Sequence, residues 1–310
     1  MLVFATSDKG GTGRSVTSSN LAYRRALSGS NVAYLDFDFG SPTAGTIFHV
    51  DAVRRGASGG GIHSYLQGKA DPPLRLDVWS HSDRSSLRGR PSRAGKLVLF
   101  PGDEFGGEFP GNKDVVKRCA RLFARVDAEF DICLVDLSAG RSHATDMVLA
   151  ATALPELRAV ESRWLVFHRW TRQHLIAANG LVFGKHGLLE AGAPKAPGEP
   201  GHDPAWLRDR MRFVRTAVVD PESEALGGLR PEQVAWLRRC DIDLKALATK
   251  LSIGRTTTIG SIPLDPLLQW REQLITDTDT LSRQVANVET VEAFVELAHN
   301  LDDENAWATL

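Results

Sequence analysis

Apolar residues cluster in short runs at 2–6, 31–37, 96–101, 131–136, 163–168, 212–219 and 257–262. A parallel sheet covered on both faces loses strict apolar–polar alternation, so these runs predict buried strands. Between many of them apolar positions recur at helical spacing, at roughly 16–28, 112–127, 142–152, 171–183 and 286–301. Strand and helix in turn imply right-handed crossovers. The expected fold is α/β: a doubly wound, mostly parallel twisted sheet with helices on both faces. Three stretches interrupt the rhythm. Residues 51–95 are rich in Gly, Ser and Arg, and residues 184–205 in Gly and Pro, read as an exposed loop. Residues 222–255 hold a helix expected to begin near Pro231, a favoured first-turn residue. All three are expected as insertions on a single domain spanning 1–310, and no internal repeat is visible.

The first strand runs directly into Lys9-Gly10-Gly11-Thr12-Gly13-Arg14-Ser15, and helical spacing follows from Val16. Glycines let backbone N–H groups surround phosphate oxygens, and a helix start adds partial positive charge, so strand, turn and helix make a phosphate cradle. Against the common G-x-x-x-x-G-K-[ST] loop, Asp8 takes the first glycine place and Arg14 the lysine place. The plain alternative is a Gly-rich turn that binds nothing.

A lysine just before the double glycine marks the deviant Walker A loop, and here the chain resembles the ParA/MinD family of P-loop ATPases, whose loop reads KGGxGK[ST]. Three more segments carry the resemblance. Asn31–Gly40 ends in Asp36-x-Asp38; Phe130–Gly140 is a strand closing on Asp136 with a D-x-x-x-G turn; Thr258–Asp265 is similar to a G-x-I-P-x-D strand. Together they span most of residues 1–270. The resemblance implies a P-loop NTPase fold that binds ATP and Mg²⁺. Gly10, Gly11, Thr12, Gly13, Arg14, Ser15 and Val16 would hold the phosphates, and Thr216 and Pro263, with Asp265, would lie near the base. Ser15, Asp36 and Asp136 would face the metal. Asp38 would orient the attacking water, and Gly140 would free a switch backbone. Lys9 would reach the nucleotide of a partner copy, making an ATP-dependent homodimer.

Two departures from the pattern matter. A guanidinium is a wide planar fork where an ammonium is a point charge, and Val16 replaces a hydroxyl expected to touch the α-phosphate. Slow hydrolysis is therefore expected. The leading function is an ATP-binding molecular switch that positions, partitions or assembles an unidentified protein partner. A nucleotide-sensing module with little or no turnover is the runner-up. Against a metabolic P-loop enzyme, no nucleophile or substrate-binding constellation accompanies the loop, and a cluster-bearing iron protein would need cysteines bridging a cluster at the dimer axis. Cys119 and Cys133 fall instead in a helix and a strand.

Composition narrows the partners. Lys and Arg (37) balance Asp and Glu (38), so no global charge points to nucleic acid. Locally, Arg84, Arg88, Arg90, Arg93 and Lys96 form a basic run without an intervening acid, a candidate for non-specific DNA or else a solvated loop. The acidic tail 302–310 is unlike a basic amphipathic membrane anchor. Three cysteines without a C-x-x-C pair fit neither a disulfide framework nor a zinc site. No apolar run approaches the roughly 18–20 residues of a membrane span. With the first strand starting at once, no signal peptide and a cytoplasmic location are expected.

Overall fold

A computed structural model describes residues 1–223 and 228–308. Part of the 222–255 stretch, at 224–227, and the last two residues of the acidic tail lie outside the described residues.

Eight strands form one sheet: β1 (Leu2–Thr6), β2 (Val32–Phe37), β3 (Leu76–Asp77), β4 (Leu97–Phe100), β5 (Ile132–Leu137), β6 (Ser162–Arg169), β7 (Met211–Val218) and β8 (Thr258–Pro263). Their order is β3-β4-β2-β5-β1-β6-β7-β8. Every pair is parallel except β3, which joins the edge antiparallel to β4. The sheet is thus the expected doubly wound, mostly parallel one. Side chains of β1 explain why its alternation is invisible in sequence. Leu2 and Phe4 enter one core, Val3 and Ala5 the other, and all four are buried.

Long helices at Arg14–Leu27, Lys113–Glu129, His143–Thr152, Arg172–Phe183, Pro231–Lys250 and Val288–Asn300 flank the sheet. The first begins two residues earlier than its apolar spacing suggests, because Gly13 takes the left-handed conformation (φ 74°) and turns the chain into it. Pro231 opens its helix as expected.

The interrupting stretches carry more structure than their composition suggests. Within 51–95, short helices Ile62–Leu66 and Val78–His81 bury Ile62, Tyr65, Val78 and Trp79. Within 184–205, expected as exposed loop, the turn Leu188–Gly192 buries Leu188 against the core. A few apolar side chains suffice to pin a Gly-rich segment when a groove is already present to receive them. Among the described residues no helix is long and apolar enough to cross a membrane.

Candidate nucleotide site

In an open parallel sheet, ligands bind beyond the carboxyl ends of the strands. The turns after β1, β2, β5, β7 and β8 all meet at that edge. Register places Ala5 of β1 beside Asp136 of β5, and Asp136 beside Asp36 of β2. Lys9–Ser15, Asp36, Asp38 and Asp136 are therefore neighbours in space.

The loop itself is open. A Cβ added at Gly10 or Gly11 would meet nothing within 4 Å, and Gly11 (φ 71°) and Gly13 both sit in the left-handed region. The helix behind the loop has no side-chain cap and no acidic residue in its first turn. Its first amides are left for an anion, and the helix dipole favours one there. Gly140 leans on the loop, donating its N–H to the Ser7 carbonyl at 2.7 Å. Lys9 is half-buried, and its ammonium has no ion-pair partner among the described residues. It stands near His174, whose pKa falls chiefly through burial, with Lys9 and Arg169 adding repulsion.

Beside the loop lies a cleft of about 200 Å³ lined by Gly11, Gly13, Val16, Arg169, Thr216 and Pro263 among others. Thr216 Oγ1 donates to the Thr12 carbonyl at 2.5 Å, tying β7 to the loop. Asp265 also borders this cleft, yet its carboxylate is occupied elsewhere. It accepts from Leu267 N at 2.8 Å, Asn287 N at 2.9 Å and Thr290 Oγ1 at 2.8 Å.

Arg14 departs furthest from expectation. Instead of pointing along the cradle, its guanidinium turns inward among the carboxylates. Nε donates to Asp136 Oδ1 at 2.5 Å, and Nη2 donates to Asp38 Oδ2 at 2.8 Å and Ser15 Oγ at 3.2 Å. Burial opposes its charge, but Asp136 and Asp38 more than offset that and hold its pKa above the ordinary value. The other oxygen of Asp136 accepts from the Tyr34 hydroxyl at 3.0 Å, and that hydroxyl is 2.9 Å from Ser18 Oγ. Asp36 accepts backbone N–H from Asp38 at 3.3 Å and from Ala44 at 3.1 Å, capping the turn that follows β2. Burial, then the nearby Asp136, raise the Asp36 carboxyl well above the ordinary carboxylate range. Burial also raises Asp38, with Arg14 opposing.

This arrangement does not fit a Mg²⁺ ion. Ser15, Asp38 and Asp136 are closed on a fixed positive charge, and Asp36 is spent on backbone amides. Among the described residues no group of three His, Cys, Asp or Glu could hold a metal.

Tyr34, Ser7 and Ser18, and Arg169, Gln269 and Glu272, which also line the cleft, are site residues that the sequence pattern does not single out. Tyr34 left a signal: a hydroxyl inside an apolar strand needs a buried partner. Arg169 and the 269–272 segment left none, being local to the site only through the fold. The basic run lies elsewhere. Val32 donates its N–H to the Lys96 carbonyl at 2.8 Å, so the run ends at the amino edge of the sheet, opposite the loop. Arg84 is drawn out of it to pair with Asp279.

No protein-family model matches the chain, and no curated protein matches it by sequence. Solved structures do. The MinC:MinD cell division protein complex of Aquifex aeolicus matches at TM-score 0.60 and 14% identity, covering 97% of this chain and 95% of that one. The septum site-determining protein MinD of Pyrococcus horikoshii, complexed with Mg-ADP, matches at TM-score 0.56 and 15% identity over 100% of both chains. pNOB8 ParA bound to nonspecific DNA matches at TM-score 0.56 and 14% identity over 96% of each. At such identities the likeness is one of fold: this is the ParA/MinD-type P-loop ATPase fold.

Proposed function

We propose that the chain is an ATP-binding switch of the MinD/ParA kind, used to position, partition or assemble a protein partner. One observation carries this reading: an open glycine loop at an uncapped helix start adjoins a cleft bounded by Val16, Thr216 and Pro263. The amides of Gly10–Ser15 would hold the phosphates, and the cleft would take the base. Lys9, with no ion-pair partner among the described residues, would neutralise the γ-phosphate of a second copy, so that ATP joins two chains and ADP does not. Asp38 would orient water for a slow hydrolysis that undoes the dimer. The likeness to structures with MinC and with nonspecific DNA supports a protein or DNA partner for that dimer. On this chain Arg88, Arg90, Arg93 and Lys96 would be the DNA candidates.

Light scattering tests the switch. ATP, or an analogue that resists hydrolysis, should double the mass of the wild-type chain, ADP should not, and Lys9→Ala should stay monomeric throughout. A mass that ignores every nucleotide would refute it.

A second reading, a nucleotide sensor with little turnover, is favoured by the withdrawal of Arg14 from the cradle. With its charge turned toward Asp136 and Asp38, stabilisation of a leaving γ-phosphate falls to the loop amides and Lys9. Phosphate release by wild type and Arg14→Lys separates the two. A large gain in the lysine variant favours the sensor; brisk wild-type turnover removes it.

A further inference from the structure

We propose that Arg14 stands in for the divalent cation at this site, so that the chain takes an adenine nucleotide without Mg²⁺. This rests on the nucleotide reading above and adds to it what fills the metal's place.

Three oxygens from separate elements converge on one guanidinium: Ser15 Oγ from the first helix at 3.2 Å, Asp38 from the end of β2 at 2.8 Å and Asp136 from the end of β5 at 2.5 Å. Two of these, Ser15 and Asp136, are among the residues that the loop's resemblance directs at a metal, and Asp38 is the one it assigns to the attacking water. The guanidinium is a permanent cation with a fixed fork of N–H donors, suited to holding two carboxylates at once. An ammonium on the same stem is a compact point charge without that fixed fork. A dication entering the cluster would meet that positive charge and would have to strip the lone pairs from it.

The other oxygens of Asp136 and Asp36 are engaged as well. Tyr34 takes the second oxygen of Asp136 at 3.0 Å, and backbone amides take both oxygens of Asp36 at 3.1 and 3.3 Å. The anion-binding part of the site is not compromised in the same way. The loop glycines are open and the helix start is uncapped, so backbone amides remain for phosphate oxygens. Cation and anion functions are thus built from one side chain and the backbone.

Calorimetry on the full chain decides it, with ATP titrated in excess MgCl₂ and again in EDTA at matched ionic strength. Wild-type Kd values should agree within about threefold between the two buffers, whereas Arg14→Lys should weaken about tenfold or more when Mg²⁺ is removed. Wild-type binding seen only with Mg²⁺, or weakened about tenfold by EDTA, overturns the proposal while leaving the nucleotide reading intact. An Arg14→Lys variant as indifferent to Mg²⁺ as wild type overturns arginine as the cause. Heat in neither buffer overturns the nucleotide reading and this one with it. If the variant does not fold, the wild-type pair of titrations still decides whether the nucleotide is taken without Mg²⁺, and Arg14→Gln in the same two buffers then tests arginine as the cause.

Discussion

Arg14 Nε donates to Asp136 Oδ1 at 2.5 Å, joining the first turn of the first helix to the end of β5 across 122 positions of sequence. Both side chains are nearly fully buried, at 6% and 2% exposure. Removing one member of a buried pair leaves an uncompensated charge, which costs more than the pair itself contributes. Asp136→Asn should therefore destabilise by about 2 kcal/mol, below the roughly 3–5 kcal/mol usual for such pairs because Asp38 still faces the guanidinium. Urea unfolding at neutral pH measures it. A change too small to resolve would mean that the charge pairing is not holding these elements together.

The basic run divides into a structural member and solvent-facing ones. Arg84 donates to the Leu274 carbonyl at 2.7 Å and to Asp279 Oδ1 at 2.6 Å. Burial pushes the Asp279 carboxyl up, but bonds from Thr276 and Arg84 bring it below the ordinary range. Arg84→Ala should cost about 3 kcal/mol by stranding Asp279. Arg93→Ala, on an exposed turn, should stay within about 0.5 kcal/mol. If the run serves DNA, neutralising Arg90, Arg93 and Lys96 together should weaken filter retention of duplex DNA while thermal melting is unchanged. Equal retention would discard the run as a DNA surface.

Acid should weaken the fold in a defined window. His168 is 1% exposed, and burial lowers its pKa from 6.5 to about 4. Above pH 6.5 the ring is neutral in both states and the full stability is present. As pH falls from 6.5 to about 4 the unfolded chain binds a proton that the folded ring refuses, so stability falls. Below about 4 both states are protonated and this contribution levels off. At 1.36 kcal/mol per unit the loss is about 3 kcal/mol. His63 and His202, also lowered chiefly by burial, add in the same direction. Urea midpoints for wild type and His168→Phe across this range check the sign. A variant with the wild-type slope would exonerate His168.

Thr216 reaches the loop through a single hydroxyl, donating to the Thr12 carbonyl at 2.5 Å. Thr216→Val keeps the shape and deletes the bond. Nucleotide affinity should fall about fivefold, worth roughly 1 kcal/mol, as the loop loses its tether to β7. Displacement of a fluorescent ATP analogue reads this directly. Unchanged affinity would separate Thr216 from the nucleotide altogether.

Much of this architecture is legible in the chain alone. Apolar runs announce seven of the strands, since a doubly covered strand is recognised by what it buries, and β1 shows both of its faces going into cores. β3 escapes notice because two residues, Leu76 and Asp77, carry no period. The Gly-rich stretches are harder, because Leu188 and Trp79 acquire their burial from partners distant in sequence.

At the site the division is sharper. Lys9-Gly10-Gly11-Thr12-Gly13 tells of a turn and a helix start because glycine's left-handed conformations and helix initiation are properties of neighbouring residues. Where the long side chain of Arg14 would point is not a local property. Asp38 and Asp136, 24 and 122 residues away, come together only when β2 and β5 pair in register, and their combined field then draws the guanidinium inward. Short-range sterics wrote the loop; attraction acting through folded space chose what its arginine holds.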